Sequence, residues 1–232
     1  MKEKIIIALD VSTSEKALGL VRELHDQCAM FKVGSQLYMA AGPAIVKEII
    51  AGGGRVFLDL KFHDIPNTVT HAAAEAAKLG VSMMTVHASG GRAMMEAVSN
   101  ELAKKPAKHR PLAVAVTVLT SLDTPSLFEM GIEVPVEQHV RTLALLADEC
   151  GMDGVVCSPR ELPLLRRVVR PDFKLVTPGI RMPDQSANDQ QRIATPSEAI
   201  AAGADFLVVG RAVTDDSNAR AALERLLQTS QA

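Results

Sequence analysis

Short runs of β-branched and other apolar residues recur along the chain, and each has the length of a buried β-strand. The stretches between them are rich in Ala, Leu, Glu and Lys and have the apolar spacing of amphipathic helices. The pattern therefore predicts a repeated strand–helix unit. The predicted strands are Ile5–Leu9, Met30–Val33, Val56–Leu60, Met83–His87, Leu112–Leu119, Gly154–Cys157, Leu175–Thr177 and Phe206–Val209.

Helix boundaries are marked by local sequence signals. Ser12 with Glu15 and Thr195 with Glu198 have the spacing of a capping box, in which both side chains satisfy free backbone NH groups. Pro196 then occupies the first helical position, where its missing NH costs nothing. The clearest helical stretches are Thr13–His25, His71–Leu79 and Val136–Glu149. Glycines expected in the left-handed conformation after helices are Gly52, Gly80, Gly151 and Gly203.

Eight near-continuous apolar strands separated by helices predict a parallel sheet whose outer face is covered. Eight units favour closure into an α/β fold of the (β/α)8 TIM-barrel type, with residues 1–232 as one domain. A doubly wound open sheet is the alternative, but no GxGxxG motif follows the first strand. The two longest connections, Thr120–Pro135 and Met182–Ala194, are predicted to lie on the carboxyl-terminal face as candidate lids.

The composition excludes several classes of protein. Hydrophobic residues make up 47% of the 232 residues and the net charge is −2, so neither disorder nor a basic nucleic-acid surface is indicated. No segment approaches the roughly 20 apolar residues of a membrane span. The three cysteines are odd in number and lack CxxC spacing, which favours reduced thiols over a disulfide framework or zinc site. We therefore expect a cytoplasmic protein without nucleic-acid or membrane partners.

Charged residues occur at the ends of three neighbouring predicted strands. Asp59 and Lys61 lie two residues apart on the third strand, and period-two alternation points both into the barrel mouth. Lys32 lies on the second strand, and Asp10 ends the first. Buried charges are costly unless they are paired, so four charges on one rim predict a functional constellation. The alternatives are an internal salt bridge without chemistry, a helix-capping role for Asp10 and a snorkelling Lys32.

Asp64 follows Lys61 in the segment DLKFHDIPNT. Pro66 disfavours helical backbone at Ile65, so this segment is predicted to leave the strand as an extended loop. Asp64 is a candidate for the same charged site. A simple N-cap role for Asp64 or Asn67 is equally consistent with the sequence.

Two glycine–arginine segments predict a phosphate site. The seventh strand is followed by TPGIR, with Gly179 and Arg181, and the eighth by VGR, with Gly210 and Arg211. Loops after strands seven and eight of many barrels bind phosphate through backbone NH groups, and arginine adds a fork-shaped cation.

A zinc site is an alternative hypothesis for two of the histidines. His63 and His87 could ligate the metal together with Asp59, but Lys61 in the same cluster would repel a cation.

The motifs together resemble a known enzyme family. DLKFHDIPNT, FKVG, TPGIR and VVGR, in that order along the chain, are similar to bacterial orotidine 5′-monophosphate decarboxylases over essentially the whole sequence. The DxKxxD core alone is shared with magnesium-dependent sugar-phosphate enzymes such as 3-keto-L-gulonate 6-phosphate decarboxylase and hexulose phosphate synthase. The extended match through Thr68, together with Lys32, favours the nucleotide enzyme.

The resemblance implies a cofactor-free decarboxylation of a pyrimidine nucleotide to UMP, with no metal. Lys61 would donate the proton to C6, Asp59 would lie against the departing carboxylate, and Lys32 with Asp10 would hold the ribose and the charge network. Asp64 and Thr68 would reach into the site of the partner subunit, which implies a homodimer with shared active sites. The residues implied to contact the pyrimidine or the phosphate are Thr120, Arg181, Gln190, Gly210 and Arg211.

Overall fold

Eight parallel strands close into a barrel in the computed structural model, which describes residues 1–180 and 194–228. The strands pair in sequence order, and the first also pairs with the last. The prediction of a closed barrel instead of an open sheet is confirmed. The strands are β1 Ile5–Ala8, β2 Met30–Gly34, β3 Val56–Phe62, β4 Met83–His87, β5 Leu112–Val116, β6 Gly154–Val156, β7 Lys174–Thr177 and β8 Phe206–Val209.

Helices follow the strands and cover the outside of the barrel. In the described residues none of them is both long and apolar enough to span a membrane. Short 3-10 turns occur at Lys2–Lys4, Ala88–Gly90, Ala107–His109 and Pro159–Glu161. The α-helices are α1 Ser14–Leu24, α2 Ser35–Ala41, α3 Ala44–Ala51, α4 Pro66–Lys78, α5 Gly91–Ala103, α6 Thr124–Glu129, α7 Val136–Glu149, α8 Leu162–Arg166, α9 Pro196–Ala201, α10 Arg211–Thr214 and α11 Ala219–Gln228.

The strand residues divide between two apolar cores, which explains why the strands read as near-continuous apolar runs. Alternate residues such as Ile6, Phe57 and Met83 fill the inside of the barrel. Their neighbours, such as Ile7 and Leu58, pack outward against the helices in the larger core. The interior is therefore filled at its centre, and an open space can form only at an end of the barrel.

Some helix boundaries differ from those predicted. The capping box at Ser12 was wrong, because Thr13 is the N-cap of α1 and accepts a hydrogen bond from the amide of Lys16. Helix α4 begins at Pro66, five residues before the predicted start, with Ile65 in extended conformation as N-cap. The capping box of Thr195 with Glu198 is confirmed.

The predicted left-handed glycines are confirmed at Gly80, Gly151 and Gly203. The prediction for Gly52 was wrong, because its φ is −78°. The next residue, Gly53, has the positive φ, at 86°. The predicted connection Thr120–Pro135 contains α6. Most of the second candidate lid, Met182–Ala194, lies outside the described residues.

Candidate active site at the carboxyl end of the barrel

A cavity of about 240 Å³ opens at the carboxyl-terminal end of the strands. Its lining combines apolar side chains with charged ones, which suits a small ligand that has both apolar and ionised groups. The lining residues are Ala8, Asp10, Lys32, Phe57, Asp59, Lys61, Val116, Val118, Leu119, Thr120, Val156, Pro178, Gly179, Val208, Gly210 and Arg211.

Four of these side chains form a chain of alternating charge. Lys32 Nζ lies 2.9 Å from Asp10 Oδ1 and 3.8 Å from Asp59 Oδ2, and Lys61 Nζ lies 2.9 Å from Asp59 Oδ1. Only 12% of the Lys32 side chain and 14% of the Asp59 side chain are exposed, whereas Asp10 and Lys61 reach solvent at 52% and 39%. Each buried charge therefore has an opposite charge beside it, which offsets the cost of its desolvation.

Strand register brings these residues together. Lys32 lies beside Ala8 of β1, and Asp59 lies beside Gly34 of β2. A Cβ atom at Gly34 would lie 3.2 Å from Lys32 Nζ and 3.6 Å from Asp10 Oδ1. Because Gly34 has no side chain, it leaves space for the Lys32 ammonium group between the carboxylates of Asp10 and Asp59.

Lys61 occupies the predicted place on an irregular strand. Its φ is 52°, in the left-handed region that non-glycine residues rarely adopt, and the pairing of β3 with β4 shifts register between Leu58 and Phe62. The predicted pairing of Asp59 with Lys61 at the barrel mouth is confirmed, although regular alternation alone does not produce it.

Asp64 does not join this cluster within one chain. Asp64 is exposed, and its carboxylate accepts a hydrogen bond from the amide of Ile65 at 2.6 Å. Thr68, on the first turn of α4, is also exposed. Neither residue lines the cavity, while the apolar Ile65 between them is 66% exposed.

The same cavity is also lined by the predicted phosphate segments. Gly179 follows β7, Gly210 is the N-cap of the short helix α10, and Arg211 begins that helix. Thr120 lines the same cavity after β5. Two further predicted ligand contacts, Arg181 and Gln190, lie outside the described residues.

His63 and His87 stack beside the site, with ring centroids 5.2 Å apart. Burial, followed by the charges of His63 and Lys61, lowers the pKa of His87 below its ordinary 6.5, which favours the neutral imidazole. Its Nδ1 lies 2.5 Å from Ser89 Oγ. Within residues 1–180 and 194–228, no group of three or more His, Cys, Asp or Glu side chains could hold a metal ion, so the zinc reading of these histidines finds no support.

Sequence reasoning missed Thr85, a fully buried residue of β4 that contacts both Asp59 and Lys61. A signal for it existed, because a single hydroxyl in the apolar strand MMTVH needs a polar partner. The partner could not be identified from the sequence, because the local register of β3 against β4 is irregular.

Comparison with known proteins gives a consistent result. A family model described as "Orotidine 5'-phosphate decarboxylase / HUMPS family" matches residues 3–226. Proteins named orotidine 5'-phosphate decarboxylase from Syntrophotalea carbinolica and Geobacter sulfurreducens are 50% and 49% identical, covering 98% and 97% of this chain and 94% and 95% of their own lengths. The crystal structure of orotidine 5'-phosphate decarboxylase from Lactobacillus acidophilus superposes with a TM-score of 0.86 at 39% identity, covering 98% of this chain and 99% of that one.

Proposed function

The chain belongs to the orotidine 5'-phosphate decarboxylase / HUMPS family, and we propose that it converts orotidine 5′-monophosphate (OMP) to UMP and CO2 in pyrimidine biosynthesis. The observation that carries the proposal is the Asp10–Lys32–Asp59–Lys61 chain, which lines the cavity of about 240 Å³ at the carboxyl end of the barrel. Support for the substrate comes from the relatives about half identical to this chain that carry the decarboxylase name.

The reaction breaks the bond between C6 of the pyrimidine and its carboxylate. The bonding electrons remain on C6 in an orbital orthogonal to the ring π system, so the ring offers them no conjugation. A cation next to C6 is therefore required. The Lys61 ammonium group stabilises the developing charge and then donates its proton to C6, while solvent returns a proton to the lysine.

Asp59 has a second effect on the bound substrate. Its carboxylate would lie close to the carboxylate that leaves, and two like charges about 4 Å apart repel by about 4 kcal/mol at an effective dielectric constant of about 20. The repulsion disappears when CO2 departs. Lys32 holds the Asp59 carboxylate in place, and Asp10 holds Lys32 in turn.

The remaining roles are divided along the cavity. Thr120 contacts the pyrimidine, and the phosphate binds at Gly210 and Arg211, with Arg181 and Gln190 as its further ligands. The phosphate lies far from C6, so it supplies binding energy without taking part in bond breaking. No cofactor takes part in the reaction.

The direct test is Lys61→Ala, assayed by the fall in OMP absorbance. We expect kcat/KM to fall by at least about 10⁴-fold, since proton donation and charge stabilisation are both lost. Lys104→Ala is the matched control, because Lys104 is 71% exposed and pairs with Glu101 on α5, away from the cavity. Near-normal turnover by a folded Lys61→Ala variant would refute the mechanism.

Metal dependence separates this function from the sugar-phosphate chemistry of the wider group. Wild-type protein treated with EDTA should retain full activity on OMP. Activity that is lost with EDTA and restored by magnesium would favour the sugar-phosphate alternative, as would turnover of a sugar phosphate in place of OMP.

We also propose a homodimer in which Asp64 and Thr68 complete the site of the partner subunit. Their exposure beside the rim, together with the exposed Ile65, supports this arrangement. Asp59→Ala and Asp64→Ala proteins should each be inactive, but co-expressed subunits should recover about a quarter of wild-type activity, because half of the randomly formed dimers contain one intact site. No recovery in purified hybrid dimers would contradict a shared site.

A cytoplasmic location is part of the proposal. It is supported by the cysteines: Cys28, Cys150 and Cys157 form no disulfide bond, as is usual in reducing compartments.

A further inference from the structure

Thr85 faces the inside of the barrel directly beneath the charged chain. It lies on β4 between Met84 and Val86, which pack outward, and it is 0% exposed. Its hydroxyl oxygen accepts a hydrogen bond from the backbone amide of Lys61 at 2.8 Å, and the hydroxyl donates to Asp59 Oδ1 at 3.1 Å. One side chain thus contacts the two residues to which the proposed chemistry assigns the main roles.

The position of Thr85 follows from a bulge in β3. Leu58 pairs with Met84 and Phe62 pairs with Val86, so the three residues from Asp59 to Lys61 lie opposite the single residue Thr85. Extra residues in one strand disrupt the backbone ladder and redirect side chains. In this bulge the Thr85 hydroxyl takes the place of a backbone acceptor for the Lys61 amide.

The same hydroxyl restrains the Asp59 carboxylate. Oδ1 of Asp59 receives both Lys61 Nζ at 2.9 Å and the Thr85 hydroxyl, while Oδ2 faces Lys32 at 3.8 Å. A hydroxyl can donate one hydrogen bond while accepting another, so threonine satisfies both partners at once. Valine, which has the same shape, satisfies neither.

We propose that Thr85 is a positioning residue for the decarboxylation. This role rests on the proposed function. It does not line the cavity, and it acts through Asp59 and Lys61. By fixing the backbone of Lys61 and the carboxylate of Asp59, it sets the direction from which the ammonium group approaches C6. A displacement of about 1 Å at a reacting group can cost about 100-fold in rate.

The test compares Thr85→Val with Thr85→Ser, and Thr117→Val is the matched control. Thr117 is also a buried threonine at the barrel, 1% exposed, but its hydroxyl donates to the carbonyl of Val156 at 3.0 Å and has no part in the charged chain. Each variant is assayed for kcat and KM with OMP, and its unfolding in urea is followed by circular dichroism.

We expect Thr85→Val to lower kcat by about 10- to 100-fold with KM changed by less than about threefold, since the bonds to phosphate and pyrimidine remain. Thr85→Ser should recover most of the lost kcat. Thr117→Val should lose stability while keeping its kcat. If Thr85→Val does not fold, Thr85→Ala removes the same hydroxyl without adding an apolar group, and it must show the same loss of kcat.

Different results overturn different claims. If wild-type protein does not decarboxylate OMP, the proposed function is wrong, and the positioning role of Thr85 is wrong as well. If the wild type is active and a folded Thr85→Val or Thr85→Ala variant keeps its kcat, only the positioning role is wrong. The same conclusion follows if Thr85→Ser loses as much kcat as Thr85→Val, because the hydroxyl would then not be the feature that matters.

Discussion

At the scale of single residues, the site depends on a backbone conformation that is unfavourable for the residue that adopts it. Among residues 1–180 and 194–228, Lys61 is the one non-glycine residue with a positive φ. For such a residue the left-handed conformation costs roughly 1–2 kcal/mol. Strain of this kind persists only where surrounding contacts enforce it, and here the Thr85 hydroxyl and the Asp59 carboxylate hold both ends of Lys61.

The strain at Lys61 can be measured by two substitutions that both remove the side chain. The free energy of unfolding of Lys61→Gly should be about 1 kcal/mol higher than that of Lys61→Ala, because glycine adopts the left-handed conformation without penalty. The measurement is urea unfolding followed by circular dichroism. Lys47 is the matched control, since it is exposed in the middle of α3, and there glycine should be about 1 kcal/mol less stable than alanine. The same order at both positions would show that Lys61 is not strained.

The sequence predicts which residues carry charge at the site better than it predicts how they are held. Period-two alternation is a local property, so Asp59 and Lys61 could be placed on the inner face of β3 without knowing their neighbours. The bulge opposite Thr85 depends on the register of two strands, which the pattern of either strand alone does not contain. For the same reason the space reserved by Gly34 became visible only in the structure.

At the scale of elements, strands were easier to predict than helix starts. The apolar runs end abruptly at charged or small residues, so the strand bounds agree closely, except that β5 ends at Val116 and the apolar residues beyond it line the cavity. The start of α4 was missed because its first turn, Pro66 to Val69, carries little apolar periodicity. Pro66 was the available signal, since proline favours the first helical position as well as excluding helix before it.

Strand β6 is only three residues long, and its first residue is tightly enclosed. A Cβ atom at Gly154 would lie 2.2 Å from the carbonyl oxygen of Lys174 on β7, a backbone atom that cannot move aside. We expect Gly154→Ala to lower the free energy of unfolding by on the order of 3 kcal/mol, the upper end of the usual cost of overpacking. The midpoint and slope of urea unfolding measure this.

Gly19→Ala provides the control for that prediction. Gly19 lies within α1, and a Cβ there would meet its nearest neighbour, Arg22, at 4.0 Å. Alanine at this position should leave the stability unchanged or raise it by up to about 1 kcal/mol. A Gly154→Ala variant as stable as Gly19→Ala would mean that β6 and β7 can separate without cost.

At the scale of the whole molecule, the site exists because the barrel closes. The charged chain comes from β1 to β3, whereas the predicted phosphate contacts Gly210 and Arg211 follow β8. Pairing of β1 with β8 brings the two together, and a Cβ at Gly210 would lie 3.9 Å from Asp10 Oδ2. Asp10 and Gly210, which are 200 positions apart in the sequence, thus share one cavity.

On the outside of the barrel, a polar cluster links α11 to the end of α1 and so stabilises the pairing of β1 with β8. The Arg220 side chain donates to Asp26 Oδ1 at 2.8 Å and to the carbonyl oxygen of Glu23 at 2.6 Å, and the Arg220 amide donates to the Glu23 carboxylate at 2.8 Å. The hydrogen bonds from Arg220 and Gln27 lower the pKa of Asp26 from 3.8 to about 2. Asp26 therefore favours the folded state while it is ionised.

This linkage predicts how Asp26→Asn changes stability with pH. A carboxyl group whose pKa is lower in the folded state stabilises the protein above its unfolded pKa of 3.8, and the contribution is lost as the pH falls toward 2. Asp26→Asn should therefore unfold at a lower urea concentration than wild type at pH 7 and pH 5, and the difference should shrink between pH 4 and pH 3. Asp172→Asn serves as control, because Asp172 is 79% exposed and pairs with Arg170 only two residues away. A difference that stays constant down to pH 3, or none at pH 7, would show that the Asp26–Arg220 contact does not help to close the barrel.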